Sequence, residues 1–262
     1  MDSYQVDIII VNFNAKRYMA ECLQSLKEHC GSYDCRIWVI DNASTDGSQS
    51  LIKNTVGVTG ILNSKNRGYA RACNQGIRRG NGKYIFLLNN DIKVTHGWLG
   101  PLINMLDKPG VAIAGPRLVN PMGFLVGVGV IGTNAHPVIR GWGEPDKKES
   151  YNLPCACVSV CGACFGIKRE LIPVLGLFDE DYFHYFEETD YCFNARSHGY
   201  QVIYCPDSKV IHQVNGSFRN LTTLNRYFQA GKEHFEKKWS EFLRDETVYN
   251  GAPFHPGPES QK

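Results

Sequence analysis

Apolar residues along the first 116 positions alternate between two periods. Residues 6–11 read as one apolar run, the pattern of a strand buried on both faces. Asn14 then stands where it can cap a helix over residues 16–27, which places Tyr18, Met19, Cys22, Leu23 and Leu26 on one face. A second strand over residues 36–40 ends at Asp41, and a polar turn leads to a short helix over 49–53. Strands over 59–62, 84–88 and 111–114 follow, separated by helices over 69–79, closed by Gly80, and 98–106. Alternation of strand and helix with short links predicts an α/β fold, a Rossmann-like and mostly parallel sheet covered by helices on both faces.

In such a sheet, ligands gather outside the carboxyl ends of the strands. The residues predicted there are Asn12, Phe13 and Asn14, then Asp41 and Asn42, then residues 63–68, then Asn89, Asn90 and Asp91. Asn and Asp also serve ordinary turns. Four such clusters on one edge favour a binding site over turn chemistry alone.

The pattern weakens over residues 117–154, which are rich in Gly and Pro and are expected to form loops and a ribbon over the site, framing an acceptor. Regular structure resumes with an apolar strand from Ala156, a helix near 168–174, an acidic stretch over 178–190, a helix over 189–197 and a strand over 201–204. A last helix is predicted over 221–243. The expected organisation is one domain over 1–245, with a nucleotide-binding half (1–116), an acceptor and catalytic half (117–220) and a C-terminal helix (221–245). A flexible tail is expected over 246–262.

Composition removes several alternatives. The 262 residues carry a formal net charge of +2, which offers no concentrated basic surface for nucleic acid. No apolar run is long enough to cross a bilayer, and the N-terminus lacks the basic region and cleavage site of a signal peptide. A cytoplasmic location, at the inner face of the membrane, is the expectation. Ten cysteines lie mostly inside apolar stretches and read as small core residues, not as a disulfide framework. The spacing of Cys155, Cys157, Cys161 and Cys164 does not match paired zinc-ribbon ligands. Gly127, Gly129 and Gly132 fit a dinucleotide fingerprint, but no helix pattern opens after them. The helix over 221–243 mixes Arg226, Lys232, Lys237 and Lys238 with Leu224, Tyr227, Phe228, Phe235 and Trp239. Packing on the core and peripheral contact with an anionic membrane both suit that pattern.

Six segments, in order, carry a resemblance. They are Ile8-Ile-Ile-Val-Asn-Phe-Asn, Val39-Ile-Asp-Asn-Ala-Ser-Thr-Asp-Gly-Ser, Asn66-Arg-Gly-Tyr-Ala-Arg-Ala-Cys-Asn, Leu87-Leu-Asn-Asn-Asp, Gly162-Ala-Cys-Phe-Gly-Ile-Lys-Arg-Glu, and the acidic run from Gly176 to Tyr191. Together they resemble the family 2 glycosyltransferases of GT-A fold, in the rhamnosyltransferase-like branch that builds bacterial surface polysaccharides. The resemblance implies transfer of a sugar from a nucleotide-diphosphate donor to a saccharide acceptor, which a lipid can carry. Oligomeric state is not implied.

It also implies roles. Asn89-Asn90-Asp91 stands for an Asp-x-Asp metal motif, with Asp91 as the direct ligand of Mg²⁺ or Mn²⁺ and Asn89 and Asn90 beside the nucleotide. His212 matches a further metal ligand, which would favour Mn²⁺. Phe13 lies against the base, Asp41 accepts an imide N–H of UDP, dTDP or GDP, and Asn66 and Arg67 contact ribose, base or diphosphate. Glu188 matches the general base, one methylene longer than the usual Asp, with Asp190 as the other candidate. One base without a second carboxylate nucleophile implies inversion. Two other readings fit part of the pattern. Asn89 and Glu188 would also suit a nucleotide-sugar-binding protein that has lost catalysis. A nucleotidyltransferase would share the fold, but Val11-Asn-Phe-Asn lacks its Gly-rich phosphate loop.

Overall fold

The computed structural model describes residues 5–31, 33–147, 149–214 and 221–254, with Leu221 described through its backbone alone. In chain order the elements are β1 (Val6–Asn12), α1 (Lys16–His29), β2 (Cys35–Asp41), α2 (Ser48–Asn54), β3 (Val58–Leu62), α3 (Tyr69–Arg79), β4 (Tyr84–Asn89), β5 (Ile92–Val94), α4 (Leu99–Leu106) and β6 (Val111–Val119). The second part holds β7 (Leu125–Gly127), β8 (Val130–Gly132), β9 (Pro137–Ile139), β10 (Cys155–Ala156), β11 (Cys164–Lys168), α5 (Ile172–Leu175), α6 (Glu187–Ser197), β12 (Gln201–His212) and α7 (Leu221–Lys238).

A ten-stranded sheet runs in the order β10-β12-β6-β11-β4-β1-β2-β3, with β5 added to β12 and β7 to β6. β3, β2, β1 and β4 are parallel, as are β6 and β12. Between these two groups β11 is antiparallel to both neighbours, so the sheet is mixed. The apolar runs follow from burial on both faces. On β1, Ile8 and Ile10 join a core with α1 and α4, while Ile9 points into a second core with α3 and α6. On β4, Phe86 and Leu88 face the first core and Ile85 and Leu87 the second. Alternation is thus present, but both of its phases are apolar.

The run read as apolar over residues 6–11 is not wholly so: it contains Asp7, which is fully buried. Its carboxylate accepts hydrogen bonds from Trp38 Nε1 at 2.9 Å and the Gly82 N–H at 2.6 Å, and pairs with Arg169 Nη2 at 2.8 Å. This closed ion pair ties β1 to the end of β11, at the sheet edge opposite the polar clusters.

Three expectations are corrected. Asn14 does not cap α1: it lies in the left-handed region at φ 49°, and its Oδ1 accepts from the Thr45 N–H instead. Asp46 caps the helix from the β2–α2 loop, accepting from the Lys16 N–H at 2.8 Å. The stretch from Tyr249 to Phe254 is not free of the body. Tyr249 bridges to Gly132, Pro253 bridges to Cys155, and the Phe254 N–H bonds to the Pro154 carbonyl. The rest of the expected tail, residues 255–262, lies outside the described residues. Finally, residues 117–154 form β7 and the β8–β9 hairpin beside the sheet, with β9 exposed, and among the described residues none of them lines the cleft.

Candidate active site

A cleft of about 290 Å³ opens along the carboxyl ends of β1, β2 and β4. One chain of side-chain hydrogen bonds joins the polar clusters along this edge. Asn90 Nδ2 donates to Asn12 Oδ1 at 2.9 Å, and Asn12 Nδ2 donates to Asp41 Oδ2 at 2.9 Å. Asp41 Oδ1 in turn accepts from the Ser44 N–H and from Gln49 Nε2. Asn42 donates to the Gly68 carbonyl and accepts from Asn63. The Asn and Asp residues therefore fix the strand ends relative to one another, and the cleft rests on that fixed edge.

Phe13, Asn66, Asn89, Asn90, Asp91, Glu188 and His212 all line the cleft. Asp41, Arg67 and Asp190 do not. Asp41 is fully buried beneath the edge, with its carboxylate engaged by Asn12, Ser44 and Gln49. Arg67 is exposed, and its N–H approaches Asn42 Oδ1 at 3.5 Å.

Asp91 and His212 are 121 positions apart, and strand pairing joins them. β5 runs antiparallel to the end of β12 with Ile92 opposite His212, so the residue before β5 meets the last residue of β12. The Gln213 N–H bonds to the Asp91 carbonyl at 3.0 Å, and His212 Nε2 lies 3.3 Å from Asp91 Oδ1. The other imidazole nitrogen, Nδ1, is buried without a hydrogen-bond partner among the described residues. A carboxylate and an imidazole held at one point of a cleft form a donor set that suits a divalent cation.

Further lining residues come from the acidic stretch, whose carboxylates go to different places. Asp179 accepts from Lys238 Nζ at 2.7 Å and lies 3.1 Å from His234 Nε2. Lys238 and its neighbours hold the Asp179 carboxyl down to about 2, against the opposing effect of burial. Asp179, Asp181 and His234 could together approach a metal, yet the Lys238 ammonium already occupies the Asp179 carboxylate. Glu180 pairs with Arg71 and Arg78 on α3. Asp190 is buried and accepts from Tyr182 Oη, Trp239 Nε1 and Lys238 Nζ. Glu187 and Glu188, in the first turn of α6, face the cleft.

Tyr185 and Phe186 set up that turn in consecutive left-handed conformations, at φ 74° and 72°. Such backbone is costly for aromatic residues and persists where packing enforces it. Here α7 enforces it: Phe228 and Phe235 pack on Phe186, and Tyr227 stacks on Phe183 at 4.5 Å. Gly231 leaves the room, since a Cβ there would lie 3.1 Å from both Phe186 Cδ2 and the Tyr185 carbonyl oxygen. The apolar face of α7 is thus largely used against the acidic stretch, and no helix among the described residues is long and apolar enough to cross a membrane.

Burial pushes the Glu188 carboxyl up, while the N–H groups of Glu188, Gly162 and Thr189 partly offset the shift. Gly162 touches Glu188 closely, for a Cβ there would stand 3.0 Å from Glu188 Cγ. Glu187 is pushed well up by burial and then by the charge of Glu188. His184, also in the wall, is driven down to about 4 by burial and is neutral at pH 7. Glu187, His184 and Gly162 were not singled out from the sequence, where nothing separates Glu187 from the five other acids of the stretch. All ten cysteines are free thiols; Cys161 lies in the cleft wall and Cys155 in β10.

The profile of the glycosyl transferase family 2 domain matches residues 7–176. The chain is 22% identical over 244 residues to a dTDP-rhamnosyl transferase, RfbF, of Shigella flexneri, covering 90% of this chain and 78% of that protein. It is 24% identical over 203 residues to an N-acetylglucosaminyl-diphospho-decaprenol L-rhamnosyltransferase of Mycobacterium tuberculosis, covering 67% of this chain and 66% of that protein. Other curated relatives are much longer, and the chain spans 21% and 12% of their lengths. Among solved structures it is similar to a mannosyltransferase of Pyrobaculum calidifontis in complex with GDP-Man and Mn²⁺, with a TM-score of 0.64 at 18% identity, covering 96% of this chain and 67% of that one. With the family's profile matched over most of the chain and the GT-A sheet beneath the cleft, this chain belongs to glycosyl transferase family 2.

Proposed function

We propose that the chain transfers a sugar, with inversion, from a dTDP- or UDP-sugar to a hydroxyl of a saccharide acceptor, with Glu188 as general base. The observation that carries this reading is the presence of two unlike groups in one cleft: Asp91 with His212 Nε2 at 3.3 Å, and the Glu188 carboxyl. In the transfer, the acceptor oxygen attacks the anomeric carbon and its proton passes to the Glu188 carboxylate. The bond from that carbon to the diphosphate breaks, and the nucleoside diphosphate leaves with the electron pair. Burial raises the proton affinity of Glu188, which makes it a stronger base than an exposed carboxylate.

Asp91 and His212 would hold a divalent metal, Mn²⁺ or Mg²⁺, and the unpartnered Nδ1 of His212 fits that use of the imidazole. Such a metal supplies positive charge against the leaving diphosphate. Phe13 offers an apolar face to the base, and Asn66, Asn89 and Asn90 offer hydrogen bonds along the nucleotide. Asp41 acts through the edge network, holding Asn12 and the Ser44 turn in place, and Arg67 stands at the rim. The name of the Shigella relative supports a dTDP donor, and that of the mycobacterial relative a lipid-linked acceptor. A lipid-linked acceptor would bring the chain to a membrane surface, with the exposed basic side chains of α7 toward anionic headgroups.

Thermal-shift screening of dTDP-, UDP- and GDP-sugars with each metal identifies the donor. With that donor, Glu188→Gln should abolish transfer and leave metal-dependent donor binding intact, and Asp91→Ala should abolish that binding. Full turnover by Glu188→Gln, or metal-independent binding in the wild type, would overturn the reading.

A further inference from the structure

We propose that the Glu187 carboxyl is a hydrogen-bond partner for a hydroxyl group of a sugar held in the cleft. The inference rests on the reading of the cleft as a glycosyl-transfer site. Glu187 lines the cleft beside Glu188, yet it is only 4% exposed, and its Oε2 has no hydrogen-bond partner among the described residues.

The groups around it explain why it is not simply a second base. Tyr69, half-buried, and Cys73, buried, both of α3, lie close enough to feel its charge, as do Tyr182 and Tyr185 of the preceding segment and Glu188 on its own helix. None of these is a cation. Arg71 and Arg78 are committed to Glu180, and Lys238 to Asp179 and Asp190. Burial favours the protonated form of a carboxyl that lacks a cation; the N–H groups of Gly162 and Thr189 offset this at Glu188, whereas at Glu187 the charge of Glu188 adds to it. The side chain is then a carboxylic acid, with an O–H to donate and oxygens to accept.

A buried polar group left unbonded is unfavourable, and a ligand hydroxyl relieves that cost. The terminal torsion of Glu is broad and two-fold, so a turn about it exchanges the oxygens at the cleft wall. A hydroxyl both donates and accepts, as a neutral carboxyl does. A phosphate would demand a cation, and none pairs with Glu187 among the described residues. The partner is therefore a sugar hydroxyl, of the donor sugar or of the acceptor.

The test uses the full chain with the dTDP- or UDP-sugar that supports turnover and an alkyl glycoside as soluble acceptor. Infrared difference spectra at pH 7 should contain a protonated-carboxyl band that Glu187→Gln removes, and sugar binding should shift that band in the wild type. A missing or unmoved band overturns the proposal. In kinetics, Glu187→Gln, which keeps a neutral donor, should lose several-fold less in kcat/KM than the apolar variant and keep the wild-type pH profile. Glu187→Met should lose about 10- to 100-fold in kcat/KM. Weaker binding of the nucleotide sugar, but not of the free nucleotide, identifies the donor sugar as partner; a raised acceptor KM alone identifies the acceptor. Wild-type kinetics in Glu187→Met, or equal losses in both variants, would overturn the proposal. Glu188→Gln is measured in parallel. If that variant turns over normally, the base assignment fails, while the infrared result for Glu187 is judged on its own.

Discussion

At the scale of single residues, the acidic stretch distributes one kind of side chain among different tasks. Asp179, Glu180 and Asp190 have cationic partners, and Glu187 and Glu188 have none among the described residues. The consequence for stability has a definite sign. In the unfolded chain Glu187 ionises above about 4.5, whereas the folded state holds its proton to higher pH. Its contribution to stability is therefore present below that value and is lost as pH rises through the folded pKa. Glu187→Gln removes this loss, so it should unfold at a higher temperature than wild type at pH 7, with the gain vanishing toward pH 4. Melting curves across that range check it, and a gain that grows toward acid would contradict it. Stabilisation at the expense of a cleft group is a common trade at functional sites.

At the scale of elements, α6 and α7 form one unit. Asp190 looks from its spacing like an alternative base, but its side chain faces α7, where Trp239, Lys238 and Tyr182 bond to it. Asp190→Asn should cost about 1–3 kcal/mol of stability, as expected for a weakened buried hydrogen-bonded charge. Its turnover below the melting transition should far exceed that of Glu188→Gln. Denaturation curves with rates at low temperature separate the two roles, and equal losses of turnover would return Asp190 to the reaction.

The same unit shows what the sequence could reveal and where it stopped. The helix over 69–79 was readable to the residue, because an apolar face and a closing Gly bracket it. The edge clusters were readable because Asn and Asp end four apolar runs. The antiparallel β11 was not, since an apolar strand carries no mark of its direction. Nor was the use of each acid in 178–190, which depends on cationic partners 48 to 109 positions away. Asp41 illustrates the limit: its place at the end of β2 was legible, but its burial beneath Asn12 was not.

At the scale of the whole molecule, the two ends of the sheet have different work. The end at Asp7 is closed by Arg169, which also donates to the Gly82 and Ile77 carbonyls and so joins β1, α3 and β11. Arg169→Met would leave Asp7 buried and unpaired, and should destabilise the fold by about 3–5 kcal/mol. Donor affinity at permissive temperature should hardly change, and calorimetry with denaturation measures both. The opposite end carries the cleft, fixed by the Asn90–Asn12–Asp41 chain, with Glu188 as the proposed base. With Glu187 neutral as proposed and Asp91 assigned to the metal, no second carboxylate nucleophile lines the cleft among the described residues, and a one-step displacement is the chemistry we propose for it. The anomeric configuration of the product, read by proton NMR before mutarotation or further reaction, is therefore the most direct measurement. Inversion relative to the nucleotide sugar is the predicted result, and retention would contradict the account.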